Sequence, residues 1–191
     1  MPPALRKFAL AVHLTVSVGW IGAVAAYIPF DVTTATSRDA QTLRSAYLAM
    51  ESIARSVIVP LALASLLTGL VVSLGTKWGL FRHYWVLISL VLTTLATIIL
   101  LVETRTISYL AGMAADPTMS GDALRALPST LAHSVGGTAV LLVVLVLNVY
   151  KPKGMTRHGW RKQEAERRAL HGSKRDEEHG VVQSSSGSHG E

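Results

Sequence analysis

The sequence predicts an all-α protein, a four-helix transmembrane bundle with both termini cytoplasmic, and three observations predict it. Half of the 191 residues are hydrophobic and only 16% are charged, against about a quarter in soluble domains, so the chain is built for lipid. No Asp, Glu, Lys or Arg lies in 8–30, 56–76, 83–102 or 126–150. Each window reaches the roughly 20 residues that a helix needs to cross about 30 Å of hydrocarbon. Without water to satisfy the backbone, only helices and closed barrels span a bilayer, and the windows lack the alternation of barrel strands. Finally, an inside amino terminus places 13 of the 18 Lys and Arg on the inner side. The short inner loop 75–82 holds Lys77 and Arg82 and no acid, which is the bias that sets orientation.

Span one, about 8–30, follows Arg6 and Lys7. Its Ala23-Val24-Ala25 resembles a signal-peptide cleavage pattern, but the apolar run continues through Tyr27, Ile28 and Phe30, beyond the 7–15 residues of a signal h-region, so the span is retained. Gly19/Ala23 and Gly22/Ala26 recur four apart, as do Ser65, Gly69 and Ser73 in span two, a spacing that lets helices pack closely in lipid. Segment 37–55 reads as a helix capped by Ser37, with Leu43, Tyr47, Met50 and Ile53 at helical spacing, running straight into span two at 56–76. Pro60 should kink that helix. Span three, 83–102, carries Ser89, Thr93 and Thr97 on one face. Asp116-Pro117 and Ser120-Gly121-Asp122 supply turns, and Pro128 marks the start of span four, 130–150. Asp31, Asp39, Glu51, Glu103, Asp116 and Asp122 are assigned to outer loops, leaving no carboxylate within a span.

The organisation is therefore a four-span membrane domain, 1–150, and a basic, partly disordered cytoplasmic tail, 151–191. Lys151, Lys153, Arg157, Arg161 and Lys162 should attract anionic lipids at about 1 kcal/mol per basic residue. The stretch 160–170 fits a short surface helix, and 181–191 is rich in Ser and Gly. Nucleic acid is not a predicted partner, because a positive cytoplasmic flank is what topology itself requires. The tail's His158, His171, His179 and His189 show no ligand spacing.

With no cysteine, disulfides, thiolate metal sites and Cys nucleophiles are excluded. Three histidines carry the remaining chemistry: His13 in span one, His83 at the inner start of span three, and His133 near the outer start of span four. An ionisable side chain inside a span is by default a site hypothesis, and imidazole is a common ligand of haem and metals. His13 lies about 9 Å past Lys7 and His133 about 27 Å from Lys151 at 1.5 Å per residue, so these two cannot share one iron. His13 and His83, both on the inner half, are the candidate cofactor ligands. The competing reading has His13 hydrogen-bonded to a neighbouring helix and His83 and His133 at the two interfaces. No catalytic residue is predicted: there is no P-loop, no G-x-G-x-x-G and no H-E-x-x-H. His133 and Ser134, adjacent on a helix, point in different directions. The lack of a carboxylate within a span counts against proton-coupled transport.

Three stretches carry a resemblance: His13 with Trp20-Ile21-Gly22; Pro60 with Leu67-Thr68-Gly69-Leu70; and the run Leu74 to Val86 around Trp78. Together with the exit Val149 to Thr156 they are similar to a bacterial family of four-span integral membrane proteins of unknown function, over residues 5–163. More distantly, His13 and Trp20 resemble those of CopD-like copper-resistance membrane proteins and HemJ-type protoporphyrinogen oxidases, in which the early histidine is implicated in haem binding. The resemblance implies His13 as a ligand of haem b and a multi-pass location in a cell membrane, the bacterial inner membrane. HemJ-type proteins also carry a lysine just after the Trp that Trp85 resembles. Here Val86, Leu87, Ile88 and Ser89 follow, so the oxidase activity is not carried over. Three functional readings stay open: a haem- or metal-binding protein in electron transfer or haem handling; a non-catalytic scaffold or accessory subunit joined to a membrane protein partner or to itself as a homo-oligomer; and a small-solute transporter.

Overall fold

The computed structural model of the protein describes residues 2–75, 83–151, 154, 156, 160, 161, 164, 167 and 168. Its elements run α1 (Pro3–Thr36), α2 (Ala40–Ile53), a π-helical turn (Ala54–Ile58), α3 (Val59–Gly75), α4 (Tyr84–Ala115), α5 (Gly121–Arg125) and α6 (Leu131–Tyr150). Four stretches are long and apolar enough to cross a membrane: α1, α2 through α3 as one 36-residue helix, α4, and α6. The chain is thus an all-α membrane bundle. Four antiparallel crossings bring both ends of the described chain to one end of it, called here the terminal end. In the membrane half the helices form a ring, with α1 against α3 and α6, and α4 against α3 and α6.

The helices outrun the charge-free windows that predict them. α1 has 34 residues, about 51 Å at 1.5 Å per residue, and α4 continues 13 residues past the expected end of span three at 102. The first charge beyond an apolar window does not end the helix. At the distal end α4 is held helical by packing: Ile107, Leu110 and Ala114 are buried against Leu43, Tyr47 and Met50 of α2 and Leu124 of α5. This distal cap contains four of the five largest fully buried side chains; the fifth is Asp31. Along the spans, Leu67, Leu95, Ile99 and Val146 are exposed, as lipid-facing side chains must be.

Local details differ from expectation for identifiable reasons. The helix expected over 37–55 begins at Ala40, and its cap is Asp39 rather than Ser37: the Thr42 N–H donates to Asp39 Oδ2 at 2.7 Å. Ser37 instead closes α1, its N–H donating to the Thr33 carbonyl at 2.9 Å. Pro60 cannot accept a regular turn before it, since its ring meets the carbonyl four residues back. The widened π turn supplies the room, with the Val59 N–H reaching the Ala54 carbonyl. The small residues of span one do not mark a close approach, because a Cβ at Gly19 would sit an ordinary 3.7 Å from Leu61 and one at Gly22 would meet nothing within 4 Å. The tight contact is at Gly69, where a Cβ would lie 3.0 Å from the His13 ring.

Candidate functional site

A cavity of about 580 Å³ opens between α1, α3, α4 and α6 in the terminal half of the bundle. His13, Ser17, Ser65, Ser89, Thr93 and Asn148 give it polar character, and Arg6, Lys7 and Lys151 line it where the helices end. His13 is held from two sides by α3. Its Nδ1 lies 3.1 Å from Thr68 Oγ1, and that hydroxyl donates its single proton to the Ala64 carbonyl at 2.6 Å. The hydroxyl therefore accepts from the imidazole, which makes Nδ1 the protonated nitrogen and leaves the Nε2 lone pair for a ligand. Gly69 makes the second constraint, since a Cβ there would press on the ring at 3.0 Å. One turn along α1, Ser17 and Ser65 hydroxyls bridge the same pair of helices at 2.7 Å. Thr68 and Gly69 belong to the Leu67-Thr68-Gly69-Leu70 stretch seen in the sequence, but nothing in the chain's pattern pairs them with His13.

His83 immediately precedes α4, its ring centroid 6.4 Å from that of Trp85. Trp85 lines the cavity and His83 is not among the lining residues. Of the predicted lipid-contacting residues, Lys151 follows α6 in a left-handed conformation, φ 43°, and Arg161 is helical. Lys153, Arg157 and Lys162 lie outside the described residues, as do the segment 76–82 with Trp78 and the stretch 169–191.

The distal half holds the chemistry that sequence reading missed. Asp31, expected in an outer loop, is a helical residue of α1 with 0% exposure. Thr130 Oγ1 donates to its Oδ1 at 2.5 Å, and the Ser134 hydroxyl donates to Oδ2. Thr130 is the N-cap of α6 and Ser134 lies in its first turn, and the N-terminal dipole of that helix also favours a carboxylate. Glu103, also assigned to a loop, lies within α4, and its Oε1 is 3.4 Å from His133 Nε2. Both carboxylates therefore lie on long apolar helices rather than in loops, each one residue beyond the charge-free window of its helix. His133 is largely exposed, with 57% of its side chain accessible. Ser134 turns to Asp31 while His133 turns to Glu103, the divergence that adjacent helical positions require.

A usable signal for Asp31 did exist. The buried residues of α1 are Trp20, Val24, Tyr27 and Asp31, spaced four, three and four apart, so the carboxylate continues an apolar helical stripe. A second cavity of about 380 Å³ lies beside this stripe, between α1, α4 and α6. Trp20 and Leu141 line both cavities, forming a common wall. The Trp20 Nε1–H is buried without a hydrogen-bond partner among the described residues. No group of three or more His, Asp or Glu there is arranged to hold a metal ion. Comparison with protein-family models, curated proteins and solved structures gives no match to this chain.

Proposed function

We propose that the chain is an intramembrane binding protein of the cell membrane, with cytoplasmic termini, whose terminal-end cavity holds haem b on His13. The observation that supports this reading is the Thr68 hydrogen bond to Nδ1 of a cavity-lining imidazole, which leaves the Nε2 lone pair uncommitted to that bond. An outer partner of this kind orients a ligating histidine and raises its basicity. The other residues fit as well: the cavity joins apolar helix faces to Arg6, Lys7 and Lys151, suited to an apolar macrocycle with acidic edges. Haem supplies one-electron chemistry when bound. The protein's share is to hold Nε2, exclude water with the four helices, and neutralise anionic edges with its basic end. Among the described residues the cavity lining offers one imidazole, so His13 is the ligand in this reading and His83 flanks the start of α4. Anionic lipid at the basic tail is part of the same placement.

The test is the absorption spectrum of detergent-purified protein, oxidised and dithionite-reduced. Wild type should show a Soret band with reduced α and β bands, and His13→Ala should lose them. Thr68→Val should keep the bands while weakening haem affinity by roughly 10- to 100-fold. A featureless wild-type spectrum from cells supplied with haem rejects the proposal. A small-solute transporter is the second reading, favoured by two end-to-end cavities that share the Trp20 and Leu141 wall. Uptake into proteoliposomes that changes in Trp20→Ala distinguishes it.

A further inference from the structure

The distal cavity opens sideways. Leu95 and Ile99 of α4 line it and are about half exposed on the lipid-facing flank. Across from them, α6 contributes Gly136 and Gly137, where an added Cβ would meet nothing within 4 Å. These glycines do not draw helices together; they leave space between α4 and α6. The lining is also graded along the bundle. Leu92 and Val140 lie deep in the span, whereas Glu103, Thr130 and His133 lie at the distal end. From Leu92 to Glu103 the helix rises about 16 Å, and from Tyr84 to Glu103 about 28 Å, close to the hydrocarbon thickness. The polar end of the cavity thus stands at the membrane boundary and the apolar end within it.

We propose that this cavity takes one long-chain amphiphile from the bilayer, with its hydrocarbon along α4 and a hydrogen-bond-donating head, an alcohol or an amine, at Glu103. The lateral mouth admits a chain directly from lipid without opening the distal cap. Glu103 is an acceptor whose partner, His133, sits at a loose 3.4 Å, so acceptor capacity remains for a donor head. A carboxylate head meets like charge from Glu103, with Asp31 behind the Thr130 and Ser134 wall. This inference is independent of the haem reading, because it concerns a different cavity.

Diazirine derivatives of hexadecanol, hexadecylamine and hexadecanoic acid, photolysed with the full chain in nanodiscs and mapped by mass spectrometry, test it. Alcohol and amine should label peptides of α4 and α6, and the acid should label them roughly ten-fold less, the scale of one charge-assisted hydrogen bond. Glu103→Gln should erase the difference between amine and acid. Gly137→Leu should suppress labelling by all three, while Ser89→Leu, in the other cavity, should leave it unchanged. Equal labelling by acid and amine in wild type overturns the proposal, as does undiminished labelling of a folded Gly137→Leu variant. If Gly137→Leu does not fold, Glu103→Gln decides: an unchanged amine preference overturns the role given to Glu103.

Discussion

Asp31 shows how a single side chain can join two spans. Burying a carboxylate is tolerable only when donors replace its water; here Thr130, Ser134 and the α6 N-terminus do so. Truncation removes two charge-assisted hydrogen bonds and strands two buried hydroxyls. Asp31→Ala should therefore cost about 3 kcal/mol or more, read as a large fall in melting temperature in detergent. Asp31→Asn, which keeps an acceptor, should fall less. A melt unchanged in Asp31→Ala would mean that α1 and α6 are joined by packing alone. At this scale the sequence was half legible. His13 stood out because an imidazole in an apolar run is costly and visible, but the residues that orient it, Thr68 and Gly69, lie 55 and 56 positions away and carry no local mark. Asp31 is hard to place from the sequence because a charge at the end of an apolar run looks like a water boundary, although the stripe from Trp20 through Tyr27 points it inward.

Among the elements, the distal cap depends on one cation at a helix C-terminus. The Arg44 guanidinium of α2 donates to the carbonyls of Ala114 at 2.6 Å, Asp116 at 2.5 Å and Met119 at 2.6 Å, satisfying acceptors that the end of α4 and its turn would leave open. Arg44→Ala should destabilise the cap by about 2 kcal/mol, and Arg44→Lys should not restore it, because a single ammonium cannot span three acceptors as the planar fork does. Faster hydrogen exchange in α5 and the last turns of α4, with the membrane half unchanged, is the expected signature. Acid should loosen the same region. Hydrogen bonds from Thr42 lower the Asp39 carboxyl below its usual range, and those from Thr118, aided by Arg44, lower Asp116. Their stabilisation is fully present above the ordinary carboxylate value of about 3.9 and is lost as pH falls through the depressed values. Helical spacing in 37–55 revealed the buried face of α2, whereas the π turn was not legible, because Pro60 announces a disturbance without its form.

At the scale of the whole molecule, composition made the four crossings legible, because each window had to be long and free of charge. It left the distal ends of α1 and α4 hidden, since both helices continue beyond those windows through turns that look like loops when judged by charge. The cap gives the bundle two unlike ends, with buried apolar packing around Leu43, Tyr47 and Met50 at one and basic residues Arg6, Lys7 and Lys151 around an open cavity at the other. In the proposed orientation, which follows the positive-inside bias, the basic end faces the cytoplasm and the cap faces outward. The chain contains no cysteine, so single introduced thiols report on this directly. Ala115 and Ala4 are exposed at opposite ends of the bundle. In intact cells an impermeant maleimide should modify Ala115→Cys and reach Ala4→Cys only after permeabilisation. The reverse pattern would put the His13 cavity on the outer side, where its basic rim would meet extracellular or periplasmic anions in place of cytoplasmic lipid headgroups.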